Sequence, residues 1–123
     1  MGPDQALPRA LRLRKRGEFI AVQGSGRKLH TDSFLVFVRA RRDGDTAPAR
    51  LGVTVSKKVG NAVSRNRVKR LVREAFRRRK AWFPCGLDVV FVAKRAAGDV
   101  AFERVVGEIE KLCSKHFAPA PRR

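Results

Sequence analysis

The sequence is poor in acidic and metal-binding side chains. Its 123 residues include 11 Asp and Glu, two Cys and two His. Cys85 and Cys113 lie far apart and neither stands in a C-x-x-C or Cys/His spacing, so we expect no zinc site and no redox motif. The acids form no D-x-D, D-x-E or E-x-x-H group, whereas a metal-dependent nuclease needs clustered carboxylates to hold two ions about 4 Å apart. We therefore expect neither a catalytic residue nor a metal site in this chain.

Long apolar runs are missing as well. No stretch approaches the ~20 apolar residues that span a bilayer, and the first residues do not resemble a signal peptide. Gly24 and Gly26 are followed by neither a G-x-G-x-x-G nor a G-x-x-x-x-G-K phosphate loop, so a turn is the simpler interpretation. We expect a cytoplasmic protein with no membrane partner.

Positive charge is what the chain has in excess. Lys and Arg number 29, and the net charge is +18. Such an excess works against compactness unless a polyanion neutralises it. The 43% hydrophobic content still allows one packed domain. Nucleic acid is therefore the favoured partner, with an anionic membrane surface or an acidic protein as alternatives.

Hydrophobic periodicity and turn residues predict an alternation of helices and strands. The predicted helices span 19–22, 61 or 62 to 80, and 100–116, and the predicted strands span 27–30, 34–38, 50–56 and 87–93. A turn cluster at 41–45 predicts that the second and third strands form an antiparallel hairpin. This order predicts an α+β or α/β sandwich with one small sheet. We expect a single domain over 11–117, between flexible tails at 1–10 and 118–123.

The segment 50–80 is the most informative part of the sequence. An apolar alternation runs into Lys57 and Lys58, and Asn61 then opens a helix that carries Arg65 and Arg67 in its first turns. A helix N-terminus holds unpaired N–H groups and a partial positive charge, so cations are normally unfavourable there. Their presence around one helix start indicates a bound anion, and phosphate is the usual one.

A basic stripe continues along the same helix at four-residue spacing, through Arg65, Lys69, Arg73 and Arg77. A solvated helix face usually mixes charges of both signs, but Glu74 is the only acid between Asp45 and Asp88. Phosphate binding is therefore favoured over a merely solvated face. The run from Arg77 to Lys80 is less specific, because cations at a helix C-terminus suit the helix dipole.

Three phenylalanines could stack on unpaired bases. Phe34 and Phe37 point to opposite faces of their strand, and Phe19 lies in the first helix. For each ring taken singly, a place in the hydrophobic core is the favoured alternative.

The run S-K-K-V-G-N-A-V-S-R-N-R-V-K-R at 56–70, followed by R-E-A-F at 73–76, closely resembles the signature of the bacterial ribonuclease P protein family. The resemblance extends over about residues 9–117. It implies an αβββαβα fold with one four-stranded sheet, similar to ribosomal-protein RNA-binding domains. It also implies a ribonucleoprotein of one RNA and one protein, in which the RNA carries the active site and its magnesium. The protein would then bind both this RNA and the 5′ leader of precursor tRNA.

The resemblance assigns residues to two RNA contacts. Those expected to face the catalytic RNA, including the end of the basic stripe, are Arg65, Asn66, Arg67, Lys69, Arg70, Arg73 and Arg77. Those expected to bind the leader are Arg14, Phe19, Phe37, Lys57, Lys58 and Asn61. One position departs from the family, because Gln23 stands where a second aromatic is common, one turn after Phe19.

Two other functions stay open on the residues alone. A non-catalytic ribosomal or RNA-assembly protein would have the same composition and fold. A self-sufficient ribonuclease would need an acid–base pair, for which His30 with a lysine is the only candidate.

Overall fold

The computed structural model describes residues 7–42 and 44–117, which form the elements αβββαβα. The helices are α1 (Arg16–Ser25), α2 (Ala62–Arg79) and α3 (Phe102–His116), and the strands are β1 (Arg27–His30), β2 (Phe34–Ala40), β3 (Arg50–Thr54) and β4 (Leu87–Ala93). Short 3-10 turns lie at Arg9–Leu11, Lys80–Trp82 and Arg95–Asp99. The α+β class and the order of elements are confirmed. Over the described ranges, no helix combines the length and hydropathy that crossing a membrane requires.

The four strands form one sheet in the order β1-β2-β4-β3. β2 pairs antiparallel with β1 on one side and with β4 on the other, and β3 pairs parallel with β4. The predicted hairpin between the second and third strands is therefore wrong, since β4 lies between them. The parallel pair needs a crossover rather than a tight turn, and α2 provides it.

The central place of β4 follows from its sequence. Val89, Val90 and Phe91 are all fully buried, so successive side chains are covered on both faces of the sheet. A strand that is apolar on both faces gains most from a position inside the sheet.

The helices cover the two faces of the sheet unequally. On one face, α2 and α3 bury the main core, which includes Phe34, Val36 and Phe91 from the strands and Val72 and Ile109 from the helices. On the other face, α1 builds a smaller cluster, whose members are Leu13, Val22, Val90, Phe19, Phe37 and Val92. Phe34 therefore belongs to the main core and Phe37 to the cluster under α1, which confirms that they point to opposite faces.

Helix α1 begins three residues earlier than the sequence predicts. The Glu18 carboxylate accepts hydrogen bonds from the backbone N–H groups of Arg14 (3.0 Å) and Lys15 (3.1 Å). Glu18 in the first turn thereby pairs the N–H groups of the two residues just before the helix, in the manner of a capping box. Helix α2 begins where predicted, because the Asn61 side chain accepts a hydrogen bond from the backbone N–H of Ser64 at 2.9 Å.

A buried ion-pair network ties the β3 edge to the rest of the sheet. Asp88 on β4 is 6% exposed and accepts hydrogen bonds from Arg41 (2.9 Å) and Arg50 (two of 2.9 Å). Arg41 also pairs with Asp45 at 2.8 Å, and Arg50 lies 3.5 Å from Glu18 on α1. This network fixes the position of β3 relative to α1, which matters for the groove between them.

The packed domain extends beyond the predicted boundary at residue 11. Leu7 is 3% exposed and belongs to the main core, and a 3-10 turn at Arg9–Leu11 follows it. Within the predicted flexible tail at 1–10, Leu7 is thus packed in the core, whereas residues 8–10 are exposed. The remainder of that tail, and the predicted tail at 118–123, lie outside the described residues.

Candidate RNA interface

The segment before α2 presents its cations to solvent. Lys57 and Lys58 are exposed in the turn that precedes the helix, and no acid stands in the first turn of α2. The carbonyl oxygen of the Asn61 amide is already used as the helix cap. This leaves the amide N–H groups of Asn61 for an external ligand.

A groove of about 310 Å³ lies between the N-terminal segment and α2, and we call it the α2 groove. It brings together four of the seven residues predicted to face the catalytic RNA, and Leu7, Arg12 and Glu74 complete it. The four are Asn66, Lys69, Arg70 and Arg73.

The cations of the α2 groove have no acidic partner among the described residues. Glu74 lines the groove, but its carboxylate is held by Arg77 (2.6 and 3.0 Å) and Arg78 (2.9 Å). Burial, and next the nearby guanidinium of Arg12, lowers the pKa of Arg73. The buried Nε of Arg12 has no hydrogen-bond partner in the described part of the chain. Unpaired buried donors and like charges are costly, and an anion in the groove would relieve both.

The other three residues predicted to face the catalytic RNA do not line the α2 groove. Arg65 is half-buried, and its Nε is a second buried donor without a partner among residues 7–42 and 44–117. Arg67 donates a 2.7 Å hydrogen bond to the carbonyl of Val100, so it joins α2 to the start of α3. Arg77 is held by Glu74 and is not in the groove. Its place in the basic stripe therefore has a structural explanation.

A second groove, of about 490 Å³, lies between α1 and β3, and we call it the α1 groove. Phe19, Ile20 and Gln23 line it from α1, and the end of β3 with the following Val55 lines it from the sheet. Ile20 is 56% exposed and gives the groove an apolar surface. Arg16 and Lys69 supply positive charge to the same groove.

Glycine at position 52 allows Phe19 to reach this groove. A Cβ atom at Gly52 would lie 2.6 Å from Cε2 and 2.8 Å from Cζ of Phe19. The Phe19 ring therefore sits directly on the backbone of β3, half-buried, with one part facing the groove.

The predicted leader residues are only partly brought together. Phe19 lines the α1 groove, whereas Phe37 packs into the cluster under α1 without lining the groove. The other four are outside its lining. They are Arg14, Lys57, Lys58 and Asn61, all exposed.

Among the groove residues that sequence reasoning missed are Arg12, Arg16 and Ile20. Arg16 and Ile20 stand one turn from Phe19 and Gln23 on α1, and this helical spacing could have revealed them. Arg12 gave no such signal, because only tertiary structure brings it beside Arg73.

Lys69 has a special position, since it lines both grooves. The two grooves are thus adjacent and share one ammonium group.

Within residues 7–42 and 44–117, no three His, Cys, Asp or Glu side chains are grouped so that they could hold a metal ion.

Comparisons with known proteins agree with one family. The family model for ribonuclease P matches residues 7–116. A ribonuclease P protein component from Desulfovibrio desulfuricans is 50% identical over 108 residues, which are 86% of this chain and 82% of that protein. One from Gluconacetobacter diazotrophicus is 41% identical over 108 residues, or 87% and 91% of the two chains.

Solved structures give the same result. The ribonuclease P protein of Thermotoga maritima superposes with a TM-score of 0.75 at 33% identity, covering 87% of this chain and 98% of that one. A Staphylococcus aureus ribonuclease P protein mutant, described as defective in mRNA degradation activity, superposes with a TM-score of 0.74 at 30% identity, covering 86% and 87%. Since the match spans nearly the whole described chain in both sequence and structure, the chain belongs to the ribonuclease P protein family, the protein components that work with an RNA subunit in a ribonucleoprotein endoribonuclease.

Proposed function

We propose that the α2 groove binds phosphates of the ribonuclease P RNA and that the α1 groove binds the unpaired 5′ leader of precursor tRNA. The observation that carries the proposal is a pair of adjacent grooves whose lysines and arginines have no acidic partner among the described residues. The assembly would contain one RNA and one protein and would act in the cytoplasm on tRNA 5′ ends.

The α2 groove suits a folded RNA backbone. Arg12, Arg70 and Arg73 each present a planar guanidinium, which binds phosphate in a bidentate manner. The groove contains little aromatic surface, so it favours contact with the backbone over contact with bases. Backbone contact fits a large structured RNA, which a protein recognises mainly through shape and phosphates.

The α1 groove suits a single strand. Phe19 offers a ring face, Ile20 offers apolar surface, and Arg16 and Lys69 can bind the flanking phosphates. This combination of a stacking platform and a basic rim is how proteins bind single-stranded nucleic acid. Gln23 adds an amide, so a base at that position would be held by hydrogen bonds rather than by a second aromatic ring.

The side chains of the described residues offer no cluster of ligands that could hold the catalytic magnesium. We propose that the RNA subunit holds it. The contribution of the protein is then to neutralise phosphates and to position the leader, which reduces the magnesium needed for cleavage.

The first test is cleavage of a 5′-extended precursor tRNA at low magnesium by the protein alone, a bacterial ribonuclease P RNA alone, and the two together. We expect leader removal in the mixture only. No stimulation at any magnesium concentration, with a cognate protein active in parallel, would contradict the proposal. The arm with protein alone also tests for RNA degradation by the protein itself, which is of interest because one Staphylococcus aureus relative is described as a mutant with defective mRNA degradation activity.

The second test separates the grooves. Phe19→Ala should weaken binding of precursor tRNA by about 1–3 kcal/mol, a factor of roughly 5–150 in Kd, without changing the affinity for mature tRNA. Arg70→Gln should instead weaken binding to the RNA subunit. Arg70 is preferable to Arg67 here, because Arg67 also bonds to Val100 and its loss would disturb the fold. Equal effects of both variants on both measurements would refute the assignment of separate roles.

A ribosomal or RNA-assembly role is not favoured by the comparisons, and competition distinguishes it directly. We expect precursor tRNA to displace a labelled leader-containing substrate better than a structured RNA of equal length. A generic RNA-binding module would show no such preference.

A further inference from the structure

A pocket of about 420 Å³ lies at the β1 edge of the sheet, between the β1–β2 turn and α3. The α1 groove borders β3, at the opposite edge, so the pocket is remote from it. Both histidines of the chain, His30 and His116, line this pocket together with Lys94, Lys111 and Lys115. Neither RNA contact that the family resemblance implies uses these residues.

Two acids, Asp32 and Glu108, also line the pocket, and both are already paired. Glu108 accepts hydrogen bonds from the Ser33 backbone (3.0 Å) and hydroxyl (2.7 Å) and from Arg104 (3.0 Å). Asp32 pairs with the same Arg104 at 2.8 Å. The two acids share this one guanidinium, and neither forms an ion pair with Lys94, Lys111 or Lys115 in the described part of the chain, so the lysines leave the pocket with an excess of positive charge.

The pocket is also built on fixed elements. The Lys94 ammonium donates to the Thr31 carbonyl at 2.6 Å, which holds it in place and leaves two N–H bonds free. The Thr31 hydroxyl accepts from the Phe34 backbone at 2.9 Å, so the turn itself is ordered. Lys111 and Lys115 stand four residues apart and face the pocket from one side of α3.

Burial first, and then the charges of Lys115 and Arg27, lowers the pKa of His116. Cationic surroundings of this kind favour an anion, and an anion in the pocket would in turn favour the protonated imidazole.

We infer that this pocket binds a phosphate group, either within an RNA chain or as a free phosphate, between the ammonium groups of Lys94, Lys111 and Lys115, with the two imidazoles as additional donors. The site would give the protein a third contact with phosphate, at the far edge of the sheet from the α1 groove. It does not depend on the functions proposed for the two grooves.

The test uses the two histidines as reporters, because the chain contains no others. The ring resonances of His30 and His116 are followed by NMR in the full-length protein during titration with inorganic phosphate and, separately, with a short single-stranded RNA. We expect saturable shifts of both rings. Lys111→Gln/Lys115→Gln should weaken the response at least roughly tenfold, since it removes two charges near the ligand.

Arg39→Gln/Arg42→Gln is the matched control, because it removes the same charge from exposed positions at the far end of β2. It should leave the titration unchanged. Shifts with phosphate but not with RNA would assign the pocket to free phosphate, and shifts at lower RNA concentration would assign it to the RNA backbone. Unchanged histidine signals with both ligands, or equal responses of the lysine variant and its control, would overturn the inference.

Discussion

Gly52 and Phe19 show how one missing side chain shapes the α1 groove. The ring occupies the space where any other residue would place its Cβ, within 2.6 Å of that position. The backbone of β3 thus serves as the floor beneath the ring.

Gly52→Ala should therefore displace the Phe19 ring. We expect a loss of about 1–3 kcal/mol in the free energy of unfolding, measured by urea denaturation, together with weaker binding of leader-containing RNA. Gly24→Ala is the control, since a Cβ there meets nothing within 4 Å and alanine is the better helix former in α1. If the Gly52 variant is as stable as the control, Phe19 does not lie on β3 as described.

Asp88 is the second residue from which a specific prediction follows. Burial alone would raise its pKa, but the hydrogen bonds from Arg50 and Arg41 outweigh burial, so the pKa of Asp88 is lowered. A lowered pKa means that the carboxylate stabilises the fold fully above its unfolded-state pKa, near 4, and that this stability is lost as the pH falls through the folded-state pKa.

Asp88→Asn should accordingly lower the free energy of unfolding at pH 7 by about 2–4 kcal/mol, because it leaves the half-buried guanidinium groups of Arg41 and Arg50 short of a partner. The difference between variant and wild type should stay constant above about pH 5 and shrink below about pH 4. Denaturation curves at several pH values measure it. A difference that is independent of pH down to the acid limit would contradict the ionised state of Asp88.

At the scale of the element, the arginines of α2 differ in whether a carboxylate holds them. Arg73 lies in the α2 groove without a carboxylate partner in the described residues, whereas Arg77, one turn later, is held by Glu74 at 2.6 Å. Both positions belong to the same basic stripe of the sequence, yet only one is available to a ligand.

Exchanging each arginine for glutamine should give opposite signatures. Arg73→Gln should weaken binding to the RNA subunit and reduce the log–log salt slope by about 1, with stability unchanged or improved. Arg77→Gln should lower stability, because it leaves the buried Glu74 with one partner fewer, and should keep the salt slope. Salt titrations of RNA binding, together with thermal unfolding, test both. A reduced salt slope for Arg77→Gln would instead indicate that Arg77 contacts the RNA.

The bounds of the main helix could be predicted from the sequence, whereas the pairing of β3 could not. The bounds of α2 followed from local features, namely the cap at Asn61 and the apolar spacing through Val68, Val72 and Phe76. The pairing of β3 could not be predicted in this way. Its partner β4 lies more than thirty residues away in the chain, and no turn sequence indicates that the two strands pair. The Arg12–Arg73 contact was hidden for the same reason. The Arg77–Glu74 pair could have been predicted from its i, i+3 spacing, but the basic stripe was the stronger pattern in the sequence.

At the scale of the whole molecule, the net charge of +18 sets two opposing responses to salt. Self-repulsion destabilises the free protein, and counterion release drives its binding to RNA. Raising NaCl from about 20 mM to about 300 mM, which shortens the screening length several-fold, should raise the Tm of the free protein by a few degrees. The same change should weaken RNA binding by orders of magnitude. Parallel salt series by calorimetry and by RNA titration would show it, and a Tm that falls with added salt would contradict the role of self-repulsion.

Lys69 stands in the wall shared by the α1 and α2 grooves. Two polyanions held side by side repel each other, and a single ammonium between them offsets part of that repulsion for both. With both grooves occupied as proposed, the affinity for one RNA would depend on whether the other is bound, and thermodynamic reciprocity would make the dependence equal in both directions. Leader capture and assembly with the RNA subunit would then be one cooperative equilibrium, and a Kd measured for either RNA alone would differ from the constant that operates in the complete ribonucleoprotein.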